Sequence, residues 1–157
     1  MASTKLRSTA PRTWGNEFED SLSFETHDYF REKKDFKAVE TLSGSEMDLY
    51  EGSDLKIWGV PVDLTFAFSA KDNMTVISQT VELECSTVKF GVRFGNTHKG
   101  FTKFTTPVLV IGVDEDTRFI KMYLERLAES FRRHLNRILE VGFDSYWDTL
   151  DNMELAC

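Results

Sequence analysis

The chain has 157 residues, of which 41% are hydrophobic and 29% charged, with a mean hydropathy of −0.33 and a net charge of −7. That is long enough for one domain with a proper core and too apolar for a disordered chain, and no apolar run approaches the roughly 20 residues that span a bilayer. An acidic balance weighs against binding nucleic acid with the whole surface, because phosphate contacts need a clustered basic face. It suits solubility, a basic partner, or mimicry of nucleic acid.

The first residues, 1–13, are small, polar and basic (Lys5, Arg7, Arg12) and lack the apolar stretch of a signal peptide. They are expected to form a flexible tail, with residues 14–157 as a single globular domain. Asn16 is placed to cap a helix running to about Lys34, with Glu17, Glu19 and Asp20 in its first turn, where the helix dipole favours acids. Phe18, Leu22, Tyr29 and Phe36 share one stripe at helical spacing. Phe36 to Val39 reads equally well as more helix or as extended chain. Leu42 to Gly52, rich in Ser, Gly and acids, reads as a loop.

Strand signals follow. Leu55 and Ile57, then Val60, Val62, Leu64, Phe66 and Phe68, alternate with Pro61, Asp63, Thr65, Ala67 and Ser69. A period of two predicts one buried and one solvent-facing side. After a turn at Lys71-Asp72-Asn73, Val76 to Cys85 and Val88 to Phe94 form a second alternating pair. In it, Glu84 and Lys89 are candidate cross-strand partners. Pro107 to Val113 is continuously apolar and predicts a central strand covered on both faces. Asp114 or Asp116 is then expected to cap a long helix with Ile120, Tyr123, Leu124, Leu127, Phe131, Leu135 and Ile138 on one face. Gly142 is expected to stop it. Arg118, Lys121, Arg126, Arg132, Arg133 and Arg137 form its basic face, which either solvates the helix or meets nucleic acid. Phe143 to Cys157, which mixes aromatics with acids, is expected to dock a short helix. The predicted fold is α+β or mixed α/β: a central mixed sheet of about five strands with an N-terminal helix and a long C-terminal helix packed on it.

The hairpin around Trp58-Gly59 is the richest part of the chain. With a two-residue turn, Ile57 faces Val60, Leu55 faces Val62 and Asp54 faces Asp63. With a four-residue loop from Lys56 to Gly59, Leu55 faces Val60 and Asp54 faces Pro61. Either register keeps apolar with apolar and puts both aspartates on one face. Two close carboxylates repel, and a hard divalent cation such as Mg²⁺ relieves that repulsion with oxygen ligands it prefers. Lys56 has the parity of Asp54 and is placed to orient an attacking water or neutralise developing charge. The competing reading is that Asp54 ends a strand and Asp63 faces solvent.

An acidic helix, an aspartate opening a strand, a Gly turn and an acid-x-polar motif on the next strand together resemble the PD-(D/E)XK nuclease core over about 50 residues. The resemblance implies a mixed α/β fold that cuts DNA or RNA with Mg²⁺. Asp54 matches the first aspartate of the family motif, and Asp63-Leu64-Thr65 its acid-x-lysine element. A helix acid (Glu17, Glu19 or Glu25) matches the upstream glutamate. The implied metal set is Asp54, Asp63 and Glu17, with Lys56 and Thr65 at the catalytic positions. Thr65 stands where the family has lysine, so either Lys56 substitutes or cleavage is lost. A crossover helix between Phe94 and Pro107 is not visible.

His27, His98 and His134 form no metal spacing, and Cys85 and Cys157 neither a disulfide framework nor a zinc site, which suits a reduced cytoplasmic setting. Cys85 shares parity with Val81 and Leu83, as a buried inert thiol does. Trp14, Trp58 or Trp147, if exposed, would anchor a partner. Two functions are therefore expected: a small Mg²⁺-dependent nuclease, or a non-cleaving binding or inhibitor protein on a similar scaffold. The target would be nucleic acid or a protein, with no membrane, possible homodimerisation, and a phage- or mobile-element-type role.

Overall fold

A computed structural model describes residues 19–35, 37–41, 55–65, 68, 74–84, 86–94, 107–113 and 120–156. Among them, residues 19–32 form helix α1. Strands β1 (Val39–Thr41), β2 (Leu55–Ile57), β3 (Val60–Thr65), β4 (Met74–Glu82), β5 (Thr87–Arg93) and β6 (Val108–Gly112) follow, and then helices α2 (Ile120–Arg133) and α3 (Leu135–Ala156). The expected α+β architecture is present, with six strands rather than about five. The extra strand is β1, which resolves Val39 as extended chain. The predicted tail, the cap at Asn16, the acids Asp114 and Asp116, and Cys85 lie outside the described residues.

The sheet order is β1-β2-β3-β6-β5-β4; β3 and β6 run parallel and every other neighbouring pair antiparallel. The apolar β6 is central, as its composition predicts. Pairing Leu55 with Val62, Leu109 with Val62, and Ile111 with both Leu64 and Phe90 puts one parity of every strand on a common apolar face. The helices cover that face: Leu22 and Phe30 of α1, Leu127 and Phe131 of α2, and Leu135, Ile138 and Tyr146 of α3 are all buried with it. Tyr146 also donates a 2.7 Å hydrogen bond to the Pro107 carbonyl, fastening α3 to the start of β6. No helix among the described residues is long and apolar enough to cross a membrane.

Three local expectations are corrected. The first concerns the C-terminal helix, which does not stop at Gly142. It is interrupted at His134 and then runs on through Ala156, with Gly142 buried inside α3. A Cβ at Gly142 would come within 3.1 Å of the Phe90 ring, so this glycine serves close packing of helix on sheet rather than termination. The apolar spacing in fact continues past it through Phe143 and Tyr146, both buried.

The second concerns β3, which is buried along its whole length, including Pro61, Asp63 and Thr65. The expectation of a solvent-facing side, and with it that of a solvent-facing Asp63, therefore fails.

The third concerns Glu84. Its partners are Ser130, which donates a short hydrogen bond, Arg133 at 3.0 Å and His134 at 3.2 Å, all at the α2–α3 junction. Lys89 instead lies opposite Thr80 and Gly112.

Three left-handed residues shape the chain at and beside the hairpin. Lys34, at φ 59°, ends α1. Asp35 N–H bonds the Phe30 carbonyl and Lys34 N–H that of Arg31, the paired bonds of a Schellman motif, in which glycine is the usual left-handed residue. Trp58 and Gly59, at φ 48° and 84°, form the two-residue turn between β2 and β3. Both signs match a type I′ turn, whose twist suits a hairpin. Of the two registers open in the sequence, this selects the one pairing Ile57 with Val60.

Candidate functional site

Asp63 lies in the middle of β3, on the face away from the helices. Val110 of β6 is opposite it, and Gly91 of β5 is opposite Val110. Arg93 is on the same face of β5, opposite Val108, and its guanidinium crosses β6 to reach Asp63: Nη2 is 3.2 Å from Oδ2. The Asp63 side chain is 5% exposed and that of Arg93 16%. A carboxylate taken this far out of water needs a compensating charge, and Arg93 supplies it. The sequence shows Arg93 on the polar parity of its strand. It does not show that β6 slots between β3 and β5 and so brings the two charges within reach.

Of the other sequence-predicted residues, Thr65 is buried two positions along β3, with its methyl over Gly112 and its carbonyl accepting from Val113 N–H. Lys56 is half-buried and shares the Asp63 face, between Glu40 and Pro61 in the register. It is diagonal to Asp63, at a typical separation of roughly 7–8 Å between backbones. Asp54 and Glu17 lie outside the described residues. Glu19 is half-buried near the start of α1. Glu25 is engaged elsewhere: with Asp28 and Glu32 it surrounds Arg132 of α2, at 3.3, 2.7 and 2.5 Å. The most enclosed of the described arginines on the predicted basic face is thus spent on joining α1 to α2. Bonded to Arg132, Asp28 is held below its ordinary carboxylate pKa.

Of the three acids expected to hold Mg²⁺, Asp63 alone is among the described residues. The described donors around Asp63 offer one carboxylate, already facing a guanidinium, and no group of three acids, histidines or cysteines able to hold a metal occurs among the described residues. A hydroxyl-bearing side chain at position 65 lacks the cationic head that the resemblance calls for.

The turn end of the same hairpin is built differently. Trp58 is 55% exposed, yet its ring packs on Phe30 and Phe143, with centroids 5.2 and 5.3 Å away. Its backbone N–H bonds the Ala38 carbonyl at 2.8 Å, which ties the turn to the chain after α1. Beside it, α1 and α3 leave an open groove of about 480 Å³. Phe30, Leu139 and Phe143 form its apolar wall, and Asp35, Glu140 and Asp144 its acids, against one lysine, Lys33. Lys33 Nζ sits 5.1 Å over the Tyr29 ring, and Tyr29 donates its hydroxyl to Asn136 at 3.1 Å. In the sequence, Trp58 is visible as a tryptophan in a turn. The groove depends on Glu140 and Asp144 lying on a helix that passes Gly142.

In comparisons with known proteins, no family model matches this chain, and no significant match is found to a curated protein or to a solved structure.

Proposed function

We propose that this chain is a non-cleaving binding protein whose scaffold is related in design to the PD-(D/E)XK nucleases. The reading is carried by one observation: the aspartate at the acid position of the motif is buried against Arg93. A guanidinium within hydrogen-bond distance of that carboxylate supplies the positive charge that a divalent cation would otherwise bring, and it cannot polarise a phosphodiester as a Lewis acid or generate hydroxide. Thr65 at the lysine position supports the same reading. Asp63 then serves the fold, and the protein acts through its surface on another protein.

The test is incubation of the full chain with Mg²⁺ or Mn²⁺ and plasmid, single-stranded DNA or RNA, beside Asp63→Ala and Asp54→Ala. The expected result is no cleavage above that of either variant. Metal-dependent cleavage that both substitutions abolish, in variants that remain folded, would overturn the proposal in favour of a Mg²⁺ nuclease with Lys56 in the lysine's role.

A further inference from the structure

Trp58 occupies the first position of a type I′ turn, where a left-handed backbone favours asparagine or glycine. A bulky aromatic there is strained relative to glycine. The ring is not hidden in return: more than half of the residue meets solvent. Strain retained at an exposed aromatic is characteristic of positions that contact a ligand.

The surroundings specify the chemistry. Asn136, Glu140 and Asp144 are spaced by four along α3 and so line one side of the groove, and Asp148 continues the stripe, exposed. Acids at i and i+4 repel each other and weaken a helix slightly, a cost that a cation laid along the stripe removes. Across the groove stand Asp35 and Lys33. Three carboxylates against one ammonium leave the rim negative. The aromatic wall offers ring surfaces of the kind that attract cations, as Lys33 over Tyr29 illustrates within the chain.

We propose that the groove beside Trp58 binds an arginine-bearing segment of a partner protein, with a guanidinium against the Trp58 ring and its N–H groups directed at Glu140 and Asp144. Arginine suits the site better than lysine, since its planar head stacks on an indole while donating in a fork to carboxylates. Nucleic acid is disfavoured by the rim's sign. The inference rests on the binding-protein reading above and names the partner's chemistry.

The probe is an acetylated ten-residue peptide of alanine and serine carrying three arginines, beside the same peptide with citrulline at those positions. Both are titrated into the ¹⁵N-labelled full chain, with the indole N–H resonances assigned. The arginine peptide is expected to shift the Trp58 indole resonance, and the citrulline peptide to leave it in place. The double variant Glu140→Gln, Asp144→Asn is expected to weaken binding about tenfold or more. Both substitutions are at exposed positions, so this variant keeps the test decisive even if Trp58→Ala unfolds. Equal binding of the two peptides, no shift at Trp58, or undiminished affinity in the double variant would overturn the proposal. The same preparation assayed for metal-dependent cleavage separates the two claims. Cleavage would overturn the non-cleaving reading whatever the titration shows, whereas a silent titration without cleavage would overturn only the groove.

Discussion

One hairpin carries two sites that treat charge in opposite ways. In the body of β3, Asp63 is buried and matched by Arg93 across an intervening strand. At the turn, Trp58 stands in solvent beside acids that outnumber the local base. A buried charge with a dedicated partner is committed to the fold, because losing either member strands the other away from water. An exposed aromatic in a strained turn, flanked by surplus carboxylates, packs one side of its ring on Phe30 and Phe143 and leaves the rest available to a ligand. The difference cautions against taking an acid at a motif position as evidence of chemistry before its partner is known.

Substitutions should separate the two sites sharply. Arg93→Ala is expected to have the largest effect, destabilising the chain by about 3–5 kcal/mol, because it takes the guanidinium away from the buried Asp63 carboxylate. Urea unfolding followed by circular dichroism measures it, and a loss under 1 kcal/mol would remove the contrast. Arg132→Ala should cost less, about 1–2 kcal/mol, since Glu25, Asp28 and Glu32 lose a common partner but can turn toward water.

Acid should expose a third charged cluster. Glu84 is held down at about 2, chiefly by the hydrogen bond from Ser130 and then by His134, against an ordinary value of 4.5. A depressed folded value means that its contribution is complete above pH 4.5 and is lost as pH falls toward 2. Asp28 acts in the same direction. Stability measured from pH 7 to pH 3 should therefore decline below about 4.5, and Ser130→Ala should flatten that decline. Lys34→Gly should stabilise by about 0.5–1 kcal/mol, because glycine adopts the left-handed backbone at the end of α1 without penalty. Smallest of all, Glu140→Gln with Asp144→Asn should leave stability within about 0.5 kcal/mol of the parent while altering the groove's ligand preference.

The local features of the fold were well encoded. Alternation in Leu55 to Leu64 fixed which residues face the helices, and the unbroken apolar run at Val108 to Gly112 predicted a central strand. What could not be read was the order of strands in the sheet. Which strands flank β6 is a long-range choice with no local signature, and placing it between β3 and β5 is what brings Arg93 within reach of Asp63. Gly142 misled for a related reason. A glycine that ends a helix and one that admits a neighbouring ring look alike until the packing against Phe90 is known. The Trp58 groove was half legible: the tryptophan, its turn and Glu140 lie on predicted elements, while Asp144 comes from the continuation of α3 past Gly142.

Asp63 is matched by Arg93 as part of the folded architecture. A double-mutant cycle on Asp63→Ala and Arg93→Ala, read by urea unfolding in metal-free buffer, tests it most directly. A coupling energy of about 2 kcal/mol or more is expected, with the double variant more stable than additivity allows. Independent, additive losses with coupling near zero would contradict it.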